Sequence, residues 1–159
     1  MKKILSGHTN WVRCLVALDG KLWSGSDDTS IRVWDQDTGQ LLQDIRGHSG
    51  GVLCLVNVGR QIWSGSADNT IRVWDAQGFR FVRELRGHSG WVNCLLYASG
   101  AVWSGSGDKT IRLWNPQTGK CFRILQHHTG WVWCLTAVGY QVWSGSGDKT
   151  IAIWMCEVK

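Results

Sequence analysis

Along this chain the apolar positions come in short runs broken by Gly, Asp and small polar residues. WVRCLVAL, KLWSGS and SIRVWD are each rich in β-branched and aromatic side chains, and Gly, Asp and polar turn residues separate them. Runs of this length predict short strands joined by tight turns, and a fourth run, QLLQDI, closes the group. No run of about eighteen apolar residues occurs, and MKKILSGH lacks an apolar h-region, so neither a membrane span nor a signal peptide is expected. The expected class is all-β.

The four-run group then recurs. GHTNWVRCL, GHSGGVLCL, GHSGWVNCL and HHTGWVWCL begin at residues 7, 47, 87 and 127, 40 residues apart. LWSGSDDTSIRVWD, IWSGSADNTIRVWD, VWSGSGDKTIRLWN and VWSGSGDKTIAIWM follow them in the same register. FRFVREL and KCFRIL supply the fourth run of repeats two and three. A period of about 40 marks units that bury their faces against neighbours, and four short antiparallel strands per unit make a propeller blade.

The Gly-His pair that opens each unit and the Trp-Asp pair that ends its third strand resemble the WD40-repeat (WD repeat) β-propeller family. The likeness runs over essentially the whole chain. It departs at Trp114-Asn115, at Trp154-Met155 and at His127, which replaces the Gly before His128. The domain expected is a single half-propeller over 1–159. Its repeats span 7–46, 47–86, 87–126 and 127–159, with 1–6 as a closing outer strand.

Each unit holds a Ser, a His and an Asp at fixed spacing, which invites a hydrolase reading. Catalysis needs one exposed nucleophile and an oxyanion hole, yet no GxSxG elbow occurs and the constellation appears four times. A structural device explains the repetition, because a buried indole N–H needs a partner and a Trp-Ser-His-Asp chain satisfies every polar group. The family resemblance implies such tetrads at His8, Ser24, Asp28 and Trp34; His48, Ser64, Asp68 and Trp74; His88, Ser104, Asp108 and Trp114; and His128, Ser144, Asp148 and Trp154. No enzyme activity and no cofactor are expected.

Composition adds little that conflicts. A net charge of +5 is spread along the chain without a basic block, which disfavours nucleic acid. Of 6 Cys, four recur at period 40 (Cys14, Cys54, Cys94, Cys134) on the first strand of each unit and are expected to pack there as free thiols. Cys121 and Cys156 lack metal-type spacing, so a zinc site with His127 and His128 is disfavoured. Reduced thiols fit an intracellular, cytoplasmic protein.

In the family the top face around the channel docks partners, and the motif match carries that role three and five residues after each His and just before the turn Asp. The expected partner-binding residues are Trp11, Arg13, Asp27, Leu53, Trp91, Asn93, Trp131 and Trp133, with the small Gly51, Ala67, Gly107 and Gly147 in the same register. Trp with neighbouring Arg is the composition of an interface hot spot, so a non-catalytic scaffold for a protein or peptide is expected. The alternative is a glycan or methylated-lysine site built on the same Trp side chains. Trp23, Trp63, Trp103 and Trp143 are expected to wedge between blades.

Repeat four lacks the third-strand Arg (Arg32, Arg72, Arg112; here Ala152) and the Asp of its Trp-Asp pair, and a shared ion pair would explain the joint loss. It also lacks a fourth strand, whereas KKIL at residues 2–5 precedes the first Gly-His pair as an outer strand without a blade. Three closures fit: a four-bladed monomer, a fragment of a longer propeller, and the favoured one, a homodimer that exchanges first strands to complete an eight-bladed ring.

Overall fold

The computed structural model describes residues 3–156, and these form four antiparallel sheets in sequence order. Blade one is β1 (Val12–Leu18), β2 (Lys21–Ser26), β3 (Ser30–Asp35) and β4 (Leu41–Arg46). Blade two is β5 (Val52–Val58), β6 (Gln61–Ser66), β7 (Ile71–Asp75) and β8 (Phe81–Leu85). Blade three is β9 (Val92–Ala98), β10 (Ala101–Ser106), β11 (Thr110–Trp114) and β12 (Cys121–Gln126). Blade four has three strands among the described residues, β13 (Val132–Val138), β14 (Gln141–Ser146) and β15 (Ile151–Met155). The structure is an all-β propeller array.

Blades join through one repeated lock. Val52, on the innermost strand of blade two, lies against Gly25 of blade one so closely that a Cβ on that glycine would meet Val52 Cγ1 at 2.6 Å. Val92 stands against Gly65 and Val132 against Gly105 at the same 2.6 Å. All three valines are 0% exposed, and only glycine leaves them room. Beneath each glycine sits the Sγ of Cys14, Cys54 or Cys94, and the first two point to the carbonyls of Val52 and Val92 at 3.9 and 3.5 Å. Burial pushes the Cys14 and Cys94 thiols up to about 12 and Cys54 well above its ordinary value, so these thiols stay protonated and act as packing groups. All six cysteines are free.

The second-strand tryptophans fill the adjoining space. Trp23 and Trp63 are 0% exposed, and Trp23 meets Phe79 of blade two edge-on, with centroids 5.7 Å apart. Phe79 holds a positive φ of 56°, where blades one and three have Gly39 and Gly119. That strained backbone is offset by the ring it places over Trp23.

The lock is open at both ends of the array. Val12 is 51% exposed, and Gly145 meets nothing but Cys134 of its own blade. Innermost strands β1, β5, β9 and β13 pack successively, but β1 and β13 do not pack in that series. Of the expected outer strand, Lys3–Ser6 form no strand within the single chain, and β15 has no fourth neighbour among the described residues. Met1 and Lys2 lie outside the described residues. Closure within one four-bladed chain is therefore not what the structure adopts, because blades stacked through these tight locks leave the first and fourth apart.

The departures in repeat four have separate physical reasons, not a shared ion pair. Arg32 pairs with Asp44 on the next strand at 3.3 Å and Arg72 with Glu84 at 2.7 Å; neither pairs with the Asp of its Trp-Asp. That Asp instead holds the turn into the fourth strand, where Asp35 Oδ1 accepts from the backbone N–H groups of Asp37 and Thr38. Asn115 does the same for Gln117 and Thr118, which accounts for Trp114-Asn115. Each Arg also lies over the glycine of the Gly-His pair, Arg72 over Gly47 and Arg112 over Gly87. In repeat four a larger residue, His127, stands at the glycine position and the smaller Ala152 at the arginine position. The imidazole takes the space of the guanidinium and meets Trp154 edge-on.

Candidate partner-binding face

At one end of every blade the second and third strands are joined by a turn that is tied to the preceding Gly-His segment. His8 Nδ1 lies 2.8 Å from Asp28 Oδ2, His8 Nε2 lies 2.7 Å from Ser24 Oγ, and Trp34 Nε1–H donates to Ser24 Oγ at 2.9 Å. The Nδ1–H tautomer satisfies the whole chain: Asp28 accepts from His8, His8 Nε2 accepts from the Ser24 hydroxyl, and Ser24 accepts from the indole. His48, His88 and His128 repeat this with Asp68, Asp108 and Asp148 at 2.7 Å. Their Nε2 atoms meet Ser64, Ser104 and Ser144 at 2.7 to 2.8 Å, and Trp74, Trp114 and Trp154 donate to those serines at 2.8 to 2.9 Å.

The four Asp carboxyls are nearly inaccessible yet ionised. Burial acts to raise Asp28, Asp68 and Asp108, but hydrogen bonds from the His, the Ser or Thr two residues on and backbone N–H groups outweigh it, holding each below the usual carboxylate range. In Asp148 the Thr150 hydroxyl bond is the largest influence and acts in the same direction. All four serines are buried and paired to both a His and a Trp, so their hydroxyls are committed within the tetrads.

The tetrads make the β2–β3-type turns rigid, and the expected binding residues sit on that platform. Trp11 is 70% exposed. Arg13 lies over its ring with the guanidinium carbon 4.8 Å from the centroid and pairs with Asp27 at 2.6 Å. Gly51 packs against Asp27, and Leu53 is half-buried beside it in sequence. Asn93 departs from the group: its side-chain amide donates to the Val132 carbonyl at 3.0 Å, so it ties blade three to blade four.

Three of the four tryptophans come together. Trp91 meets Trp131 edge-on at 5.6 Å, and Trp131 meets Trp133 at 5.2 Å, all three exposed. Trp131 spreads over Gly107 of the preceding blade, 3.3 Å from where a Cβ would stand. Trp11 lies apart on blade one. Two residues not singled out from sequence also border this surface, Lys109 and Lys149, each exposed at a turn with φ of 72°. Their signal was local: Asp-Lys follows Gly in repeats three and four, where repeats one and two have Asp-Thr and Asp-Asn. Among the described residues no cluster of His, Cys, Asp or Glu is arranged to hold a metal, and no helix is long and apolar enough to cross a membrane.

Comparison with known proteins matches this geometry. The family model for the IP5P C-F beta-propeller covers residues 8–95, and that for the WD domain, G-beta repeat, covers 79–115 and 119–155. The chain belongs to the WD40-repeat β-propeller family. Among solved structures, the computationally designed Ika4 protein is 32% identical with a TM-score of 0.88, over 98% of this chain and 99% of that one. The computationally designed Ika8 protein is 33% identical with a TM-score of 0.86, over 95% of this chain and 48% of that one.

Curated relatives match over single repeats. The probable E3 ubiquitin ligase complex SCF subunit sconB of Talaromyces marneffei is 49% identical over 41 residues, 26% of this chain and 6% of that protein. Pleiotropic regulator 1 of Homo sapiens is 42% identical over 41 residues, 24% of this chain and 8% of its own length. The pre-mRNA-splicing factor PRP46 of Eremothecium gossypii is 47% identical over 45 residues, 26% and 10% respectively. The WD40 chain thus spans between 6% and 10% of the length of these relatives.

Proposed function

We propose that this WD40 chain is a non-catalytic interaction scaffold, working inside the cell in the cytoplasm, whose turn-bearing face docks a peptide or protein. The observation that carries this is the exposed Trp91, Trp131 and Trp133 cluster, held on turns that the tetrads lock. Large aromatic rings fixed in advance bury much area on binding at little cost in side-chain entropy. The names of the relatives, a ligase-complex subunit and a splicing factor, agree with assembly into protein complexes. The glycan or methyl-lysine reading finds less support. Rings 5.2 to 5.6 Å apart fill the space between one another, leaving a continuous surface in place of a slot for a cation.

The same reading has two copies joined head to tail as an eight-bladed ring. The exposed Val12 and the uncovered Gly145 are the two halves of a lock made three times inside the chain. By the 40-residue period Leu5 corresponds to Ile45 and Leu85, which pair with Ile31 and Ile71, and the 69% exposed Ile151 is the strand position awaiting it. Likewise Ile4 takes the place of Asp44 and Glu84, opposite Ala152 where the other blades have Arg, so the joint carries no orphaned charge. The homologous design Ika8, of which this chain covers 48%, accommodates a propeller twice as long. Residues 1–159 would then be a half-propeller domain with 1–6 as its exchanged strand.

Light scattering on the purified chain tests the ring, with twice the 17.8 kDa chain mass expected. A Val12→Asp change should return it to a folded monomer. Peptide-library and glycan arrays probed with the wild type and with W91A/W131A/W133A test the scaffold. Peptide ligands lost in the triple variant support it, whereas glycan or methyl-lysine ligands alone would replace it with the second reading.

A further inference from the structure

We infer that each joint between two copies builds a composite docking site for an acidic peptide carrying apolar side chains, which neither copy holds alone; this rests on the ring reading above.

The register of the turn-bearing face carries the inference. At each blade boundary one residue before the turn Asp lies beneath one residue three after the next His: Asp27 beneath Gly51, and Gly107 beneath Trp131. Between blades two and three the period places Ala67 and Trp91 in the same two positions. Large is thus matched with small at each boundary, with Gly51 above Asp27 and a Trp above Ala67 and Gly107. In a single chain the series is unfinished at both ends. Gly147 is exposed and has only its own blade beside it, the edge of Trp133 nearest with Nε1 standing 3.3 Å from where a Cβ would be, whereas the corresponding Gly107 is half-covered by Trp131 of the next blade; Trp11 stands out with no preceding blade under it. Bringing a second copy's Val12 onto Gly145 brings its Trp11 to the turn at Gly147, just beyond β14, where it meets the edge of Trp133. Trp11 then continues the file that Trp91 and Trp131 begin.

The resulting surface joins Trp91, Trp131 and Trp133 of one copy to Trp11 of the other and occurs twice in the ring. Its border is cationic. Lys109 and Lys149 are exposed, and among the described residues neither is in an ion pair, while the turn carboxylates Asp108 and Asp148 are already held by His88 and His128. Arg13 arrives with Trp11 from the second copy already paired with Asp27, so the unpaired positive charge is that of the two lysines. An aromatic floor inside a positive border is complementary to a segment that alternates acidic with aromatic or aliphatic residues. Four adjacent rings also give each such segment a site longer than one blade.

Fluorescence anisotropy with two labelled synthetic probes tests this, a ten-residue peptide alternating Glu with Trp and Leu, and its counterpart with Lys for Glu. The acidic probe should bind the wild type, with binding reduced about tenfold or more by K109E/K149E and by W131A/W133A, while the basic probe stays unbound. Trp11→Ala should cost about as much. The decisive measurement mixes W11A chains with W131A/W133A chains after dissociation and reassociation. A mixed ring has one joint with Trp131, Trp133 and Trp11 all intact, so binding of the acidic probe should reappear at about half the capacity of a wild-type ring, which has two such joints.

Light scattering on the same samples separates the failures. A discrete dimer in which mixing restores nothing overturns the composite site and leaves the ring standing. A folded monomer overturns the ring, and the composite site with it, whether or not the acidic probe binds. Equal binding of acidic and basic probes overturns the proposed partner chemistry.

Discussion

His127 meets Trp154 edge-on with ring centroids 6.2 Å apart, in the space that Arg112 occupies over Gly87 one blade earlier. The exchange of Gly and Arg for His and Ala is a matched pair, so each change depends on the other. An Ala152→Arg substitution made alone should destabilise blade four by about 1–3 kcal/mol, since the guanidinium meets an occupied site. Adding His127→Gly should recover most of that loss. A double-mutant cycle by urea unfolding measures the coupling, and strictly additive effects would show that the two positions do not share the space.

Ser64 receives the Trp74 indole N–H at 2.8 Å and meets His48 Nε2 at 2.7 Å, both buried. Ser64→Ala should therefore cost about 1–3 kcal/mol for each polar group left without a partner. Any ligand bound on the turn face should bind the remaining folded molecules unchanged. A stable variant that lost a chemical turnover instead would contradict the structural role of the tetrad.

The tetrad carboxylates also set an acid limit. Asp68 and Asp108 titrate below their unfolded value near 3.8, so they stabilise the fold fully above that value. Their contribution falls as pH drops from about 4 toward the lower folded value. Unfolding temperature followed by circular dichroism should accordingly fall steeply below about pH 4, and D68N/D108N should flatten that part of the profile. An unaltered acid limb in the double variant would refute this assignment.

Thr29 adopts a φ of 71°, a left-handed conformation poorly suited to a β-branched residue. Asn69 occupies the same turn position in blade two with φ of 70°. Thr29→Asn should raise stability by roughly 0.5–1 kcal/mol, read as a higher midpoint in thermal unfolding. A lower midpoint would mean that Thr29 makes a compensating contact.

Much of the blade was legible because it repeats. Four copies in register turn a weak strand signal into a strong one, and the tetrad residues could be assigned because a buried indole and a buried imidazole both require partners. Single positions were harder to read. Asn93 has the exposed-face spacing of Arg13 and Trp133, yet its amide reaches the Val132 carbonyl across a blade boundary, a partner 39 residues away. The joint loss of Arg and Asp in repeat four reads as one lost ion pair, yet Arg32 and Arg72 pair with Asp44 and Glu84 and not with the Asp of the Trp-Asp pair, and Ala152 goes with His127 instead.

The sequence by itself determined the all-β class, the 40-residue unit and the tetrads, because each follows from local pattern and from the need to pair buried polar groups. Only the tertiary structure decided how blades meet. Val52 against Gly25, Trp131 over Gly107 and the open pair of Val12 and Gly145 are contacts between residues far apart in the chain, set by how tightly two sheets can approach, and no one-dimensional pattern contains that distance.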